Sequence, residues 1–179
     1  MGANPNRMDK RGPQRRTKIS GQFAARLIEM LESPAFRVLS HSALRVLHRL
    51  EIELAHHGGL DNGNLPVTYD DFEEYGIDRH AVAPAVRETV ALGFVEITEQ
   101  GRAGNAAWRT PSKYRLTYRH SKGAPDDGTH EWRQIKTIED AKRIAKAARE
   151  TPRMNIPAKN APAKEISQWG KTPISSGRN

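Results

Sequence analysis

LPVTYDDFEEYGIDRHAVAPAVRETVALGFVEIT, residues 65–98, is the stretch that decides the fold. Leu65-Pro66-Val67 reads as a short strand. Thr68 then stands as an N-cap before YDDFEEYG, with Asp71 three residues later in the reciprocal position of a capping box. Asp70, Asp71 and Glu73 suit the positive end of that helix. Gly76-Ile77 makes a tight turn, and Asp78 caps a second helix through RHAVAPAVRETVAL, which Gly93 ends. Phe94 to Thr98 alternates in the manner of a strand. A three-residue turn lets the two short helices pack at a steep angle, with Phe72 and Val82 or Val86 inside.

Outward from this stretch, Ser40 or Ser42 caps a longer helix in which Ala43, Leu47, Leu50 and Leu54 form one stripe, with Leu44 and Glu51 beside it. His56-His57-Gly58-Gly59 closes that helix, and a loop with Asn62-Gly63 leads back to Leu65. Further upstream, Phe23, Leu27, Met30 and Leu31 predict a short amphipathic helix over 21–32, and Ser33-Pro34 starts a further turn. Downstream, KYRLTY (113–118) is a second long strand, joined to Phe94–Thr98 by the polar connection QGRAGNAAWRTPS. After His120 the character changes. SKGAPDDGTH reads as a linker, and Thr137 caps IEDAKRIAKAARE, whose Ile138, Ala141, Ile144, Ala145 and Ala148 share a face. The expected organisation is a disordered basic arm (1–18), one domain with a helical lead (19–120), a linker (121–136), a C-terminal helix (137–150) and a disordered tail (151–179).

Composition narrows the function. Of 179 residues, 36% are hydrophobic and 6% aromatic, with a mean hydropathy of −0.75, below the apolar share of an ordinary globular chain. No run approaches the eighteen or so apolar residues of a membrane span, and no apolar core follows the charged N-terminus, so neither a membrane protein nor a secretory leader is expected. A cytoplasmic, nucleoid-associated location is the expectation. The absence of cysteine excludes disulfides, thiolate metal sites and a cysteine nucleophile. The seven histidines include no HExxH, and the chain has no phosphate-binding glycine loop or GxSxG. The chain therefore reads as non-enzymatic, with no cofactor and no metal.

The net charge is +8, distributed unevenly: +5 over residues 1–18, −5 over 19–75, +2 over 76–118 and +6 over 119–179. Such a pattern suits a protein that meets a polyanion with one face and its tails. Solvated basic tails without a partner are the plainer alternative.

The order of helix, short strand, helix, turn, helix, strand, glycine-bearing loop and strand describes a mostly α fold with a small β wing. LPVTYDDFEEYGIDRHAVAPAVRETVALGFVEIT with KYRLTY downstream resembles the winged helix-turn-helix superfamily of DNA-binding proteins over roughly residues 36–119. Within it, the chain is most similar to the replication-initiation or replisome-organiser domains of bacterial phages and plasmids. Two residues depart from that pattern. Pro84 stands inside the recognition helix, where it removes an internal hydrogen bond. Thr89 stands where the family usually has a large apolar side chain.

The resemblance implies double-stranded DNA as partner, with the helix of residues 78–92 in the major groove. With Val82 and Val86 inward, Arg79, His80, Ala83 and Arg87 face outward, where arginine reads guanine and alanine touches a thymine methyl. Surface solvation, with Arg87 paired to Asp71 or Glu74, is the competing reading. In the wing, Arg102, Arg109, Lys113 and Arg115 suit phosphate or minor-groove contact, while Trp108 is expected to pack beneath the sheet. Thr68 and Tyr69 either donate to phosphates or, for Thr68, serve as a simple cap. Arg11, Arg15, Arg16 and Lys18 of the arm neutralise phosphates. The C-terminal helix, with Lys142, Arg143, Lys146 and Arg149, has three open roles: second DNA contact, homodimer contact or docking face for a protein partner.

A transcription regulator and a replication-initiation factor of a plasmid, phage or mobile element share these features. The alternative from another class is a protein-interaction module that uses the acidic surface of residues 51–75, its basic tails binding nucleic acid without specificity. RNA is a weaker rival, because no exposed pair of aromatics is evident for base stacking.

Overall fold

Glycines and caps divide the chain as the local chemistry dictates. The computed structural model describes residues 21–102, 110–121 and 127–151. Its elements are α1 (Ile28–Glu32), α2 (Pro34–Arg37), α3 (His41–His56), β1 (Leu65–Val67), α4 (Tyr69–Glu74), α5 (Arg79–Ala91), β2 (Val95–Glu99), β3 (Ser112–Leu116), a 3-10 turn at Glu131–Gln134 and α6 (Ile138–Glu150). Among the described residues the result is an α+β fold, about half helical, with one small antiparallel sheet ordered β1-β3-β2. Leu65 faces Tyr114 across the first ladder, and Val95 faces Leu116 across the second. An irregularity between Ile97 and Glu99 breaks the second register before the bridge of Arg102 to Thr110.

Ser40 caps α3 by accepting from the Ala43 amide, and the expected stripe of Ala43, Leu47, Leu50 and Leu54 is buried. It meets Phe72 of α4, Val82 and Val86 of α5, and Leu65, Tyr114 and Leu116 of the sheet in one core. Gly76 holds φ +89 in the turn between α4 and α5, a conformation that L side chains rarely adopt. Arg45 of α3 donates to the Gly76 carbonyl and pins that turn. α5 continues unbroken through Pro84, and the buried Thr89 hydroxyl is satisfied by the Val86 carbonyl at 2.8 Å. A small polar residue is thus accommodated within the core.

Two regions differ from the sequence expectation. The lead helix begins at Ile28 rather than Gly21, and Phe23 and Leu27 are exposed. The cause is upstream: Arg26 reaches out to the Glu51 carboxylate in a bidentate pair at 2.9 and 2.8 Å, and Leu27 is extended (φ −66, ψ 135) with no side-chain cap. The second difference lies in the expected linker. Its Trp132 is 2% exposed and stacks on Phe94 with ring centroids 6.4 Å apart. Phe94 also meets Phe36 and Tyr118 edge-on, so an aromatic cluster binds the 3-10 turn to the body.

Gly93 makes that docking possible. It ends α5 at φ +79, and a Cβ there would lie 2.6 Å from the Trp132 amide nitrogen and 2.8 Å from the Glu131 carbonyl carbon. Both obstacles are backbone. Gly93→Ala is expected to lower stability by about 1–3 kcal/mol in urea unfolding, since it combines backbone strain with displacement of the Trp132 turn. Unchanged stability would mean that this turn is not docked as described.

Candidate nucleic-acid interface

The helix pair α4–α5 and the β2–β3 hairpin carry the residues singled out from sequence. Thr68 is the cap of α4 in full: its hydroxyl and amide both donate to Asp71 Oδ2, at 2.7 and 2.6 Å, and its oxygen accepts from the Asp71 amide at 3.1 Å. The hydroxyl proton is therefore engaged within the cap. Tyr69 is half-buried against the core. Asp78 caps α5 by accepting from the His80 amide at 2.9 Å.

Along α5 the four outward positions have different surroundings. Arg79 is exposed and pairs with Asp70 and, at 2.9 Å, with Glu73. Hydrogen bonds to those two carboxylates hold its guanidinium still further on the charged side. The expected pairing of Arg87 with Asp71 or Glu74 is thus replaced by a pairing of Arg79, two helical turns earlier, with Asp70 and Glu73. His80 is exposed and Ala83 half-buried.

Arg87 turns away from α4 altogether. Its Nε donates to the Ala148 carbonyl at 2.9 Å and its Nη2 to the Arg149 carbonyl at 3.2 Å, closing the C-terminal end of α6. Next to it, Glu88 is fully buried and accepts from the Ser40 amide (2.9 Å), the Ser40 hydroxyl (2.8 Å) and Arg149 Nη1 (2.9 Å). α6 packs against α5 and α2 with Ala141 and Ala145 inward. Its alanine stripe signalled that it must lie on another helix; nothing in its composition said which.

The wing cations divide in the same way. Arg102 is exposed and joined to Thr110 through backbone hydrogen bonds. Lys113 pairs with Glu99 at 2.8 Å. Arg115 is drawn into the structure: it reaches Glu96 at 2.7 Å, Glu131 at 3.1 Å and the Thr129 hydroxyl at 2.9 Å, with its side chain 12% exposed. Arg115 thus fastens β3 to the segment that bears Trp132. Arg109 and Trp108, and Arg11, Arg15, Arg16 and Lys18 of the arm, lie outside the described residues.

Sequence reading passed over two polar centres. Asn62 is buried and substitutes for a strand neighbour: its Nδ2 donates to the Leu116 and Arg119 carbonyls, and its Oδ1 accepts from the Leu116 amide. Glu51, 6% exposed, accepts from Arg26 and from the Tyr118 hydroxyl at 2.9 Å. Its place beside the apolar stripe of α3 was the visible signal.

Among the described residues no cluster of three His, Asp or Glu side chains is arranged to hold a metal ion, and no helix is long and apolar enough to cross a membrane. The chain matches no protein-family model, no curated protein and no solved structure.

The Arg115 network has a pH signature. Burial pushes the Glu131 carboxyl up, but hydrogen bonds from Thr129 and the backbone, together with the Arg115 guanidinium, outweigh burial and hold it below the ordinary glutamate range. A carboxyl depressed in this way contributes stability that is complete above its unfolded value and lost as pH falls through the folded one. Urea midpoints followed downward from about pH 6 to pH 3 should fall for the native chain, and less steeply for Glu131→Gln. Identical acid limbs would remove Glu131 from the account of this junction.

Proposed function

We propose that the chain is a double-stranded DNA-binding protein of the winged helix-turn-helix kind, acting as a sequence-specific transcription regulator or a replication-initiation-type factor of a bacterial plasmid, phage or mobile element. The observation that carries this reading is the arrangement of α3, β1, α4, α5, β2 and β3. Two short helices meet at the Gly76-Ile77-Asp78 turn and pack on a sheet of order β1-β3-β2, whose two long strands lead out to the hairpin bearing Arg102. In this reading α4 crosses the phosphate backbone and α5 enters the major groove beside it. The exposed His80 and the half-buried Ala83 lie on the entering face. Arg79 joins them by exchanging its two carboxylates for a base edge or a phosphate.

One observation favours the second reading, a protein-interaction module. The start of α5 is surrounded by acid: Asp70 and Glu73 hold Arg79, and Glu74 is exposed beside them. A basic partner would suit such a surface better than a polyanion does.

A salt-titrated binding assay of the full chain against random and enriched duplexes separates the two. Ala83→Glu places a carboxylate on a half-buried position of the entering face without breaking helix propensity. It is expected to lower affinity for an enriched duplex by about tenfold or more, with the thermal unfolding midpoint little changed. If the full chain never prefers one sequence, or if Ala83→Glu binds as the native chain does, the interaction module is the better account.

A further inference from the structure

The place of α6 limits how α5 could read DNA. A helix with its side chains is about 10–12 Å across, and the major groove is about 12 Å wide, so one helix fills it. Packed helices lie with axes about 8–10 Å apart, so α5 and α6 together present a body of roughly 20 Å wherever they run side by side. That pair does not enter one groove. The place where α6 reaches the outward stripe of α5 is fixed by the hydrogen bonds at Arg87 and Glu88, in the second half of α5. At 100° per residue, His80, Ala83 and Arg87 lie on one stripe, and α6 interrupts it at Arg87.

The contact is built to persist. The Arg87 guanidinium satisfies two carbonyls at the negative end of the α6 dipole, which would otherwise lack partners within the helix. Arg149 of α6 meets Glu88, a carboxylate with no exposed surface, while Ala141 and Ala145 are sealed below. Moving α6 aside would expose the alanine seam and strip a buried carboxylate of a cation.

We propose that α6 is a fixed wall beside the second half of α5, so that base reading is confined to the N-terminal tip. His80 and Ala83 are then the specificity-determining residues, and Arg87 has a structural role and reads no base. This assignment rests on the DNA-binding reading above and refines it. His80 is exposed at the tip, and its ring has no hydrogen-bond partner among the described residues. Ala83 follows one turn later and brings the backbone close enough for a methyl contact.

Duplexes enriched from a random pool by the full native chain provide the test, repeated with His80→Ala, Arg87→Ala and Arg149→Ala and with circular dichroism as the check on folding. His80→Ala is expected to alter the enriched motif at one position and to weaken binding to the native motif by roughly tenfold. Arg87→Ala is expected to lower the unfolding temperature and to retain the native motif. Should Arg87→Ala fail to fold, Arg87→Gln, which keeps a donor for the carbonyls, replaces it. A changed motif for a folded Arg87 variant would show that the second half of α5 reads bases, and would overturn the assignment while leaving DNA binding intact. Tighter binding by Arg149→Ala would overturn it too, because α6 would then be a removable cover. If the native chain enriches no motif, the DNA-binding reading itself falls.

Discussion

The Glu88 carboxylate is the point on which the helical body depends. Leaving an ionised carboxyl without water costs far more than one helix contact returns, so a fully buried one requires its partners. Here they come to α5 from two other helices at once. Ser40 offers its amide and hydroxyl from the start of α3, where the helix dipole is positive, and Arg149 reaches in from the last turn of α6. The same Ser40 oxygen accepts from the Ala43 amide, so the cap of α3 and the anchor of α5 are one group. Arg87, the preceding residue, closes α6 from the other side. Two adjacent residues of opposite charge thereby set the spacing of α3, α5 and α6, and α4 follows from α5 through the short turn at Gly76.

A second buried carboxylate does for the sheet what Glu88 does for the helices. Glu51 sits two turns along α3 from the core stripe's start and takes the Tyr118 hydroxyl from the chain just beyond β3. Burial, and the nearness of Glu51 itself, push the Tyr118 phenol well above its ordinary range, so it stays protonated and keeps donating. Arg26 neutralises the pair from the N-terminal side. That tie lies just ahead of the extended Leu27, so the helix starts only at Ile28, although the upstream apolar spacing would have suited a longer one.

Such long-range demands mark the boundary of what the sequence discloses. The Thr68–Asp71 capping box, the glycine at φ +89 in the turn and the stripe from Ala43 to Leu54 are settled by residues within a few positions of one another, and each was readable; the cap of α3 was narrowed to Ser40 or Ser42. Glu51 read as an ordinary polar neighbour of an apolar face and Glu88 was passed over, because their partners lie 25 to 67 and 48 to 61 residues away. Trp132 was hidden in a polar context, since the cavity it fills is made by Phe94 and opened by Gly93. Arg87 and Arg115 looked like surface cations for the same reason: arginine with no local acid at helical spacing gives no sign of the carbonyls or carboxylates that tertiary folding brings to it. Arginine is well suited to such ties, because its planar fork meets two acceptors at once.

Charge accounting then separates two jobs that the net value of +8 merges. The described residues hold 16 basic and 18 acidic side chains, a net of −2, while the remaining residues hold 13 basic and 3 acidic, a net of +10. Within the body most arginines are already committed to a carboxylate, a carbonyl or an aromatic face. Beyond a Debye length of about 8–10 Å, such a body exerts almost no attraction on a polyanion. On the DNA-binding reading, approach and salt-dependent affinity therefore belong to the basic segments outside the described body, at about 0.9 of log–log slope for each duplex phosphate neutralised. The body contributes at short range, where a nearly neutral surface has an advantage: it adds little affinity for the wrong sequence. On that same reading, preference depends on a few atoms at the tip of α5, held in place by carboxylates set back from it in the core.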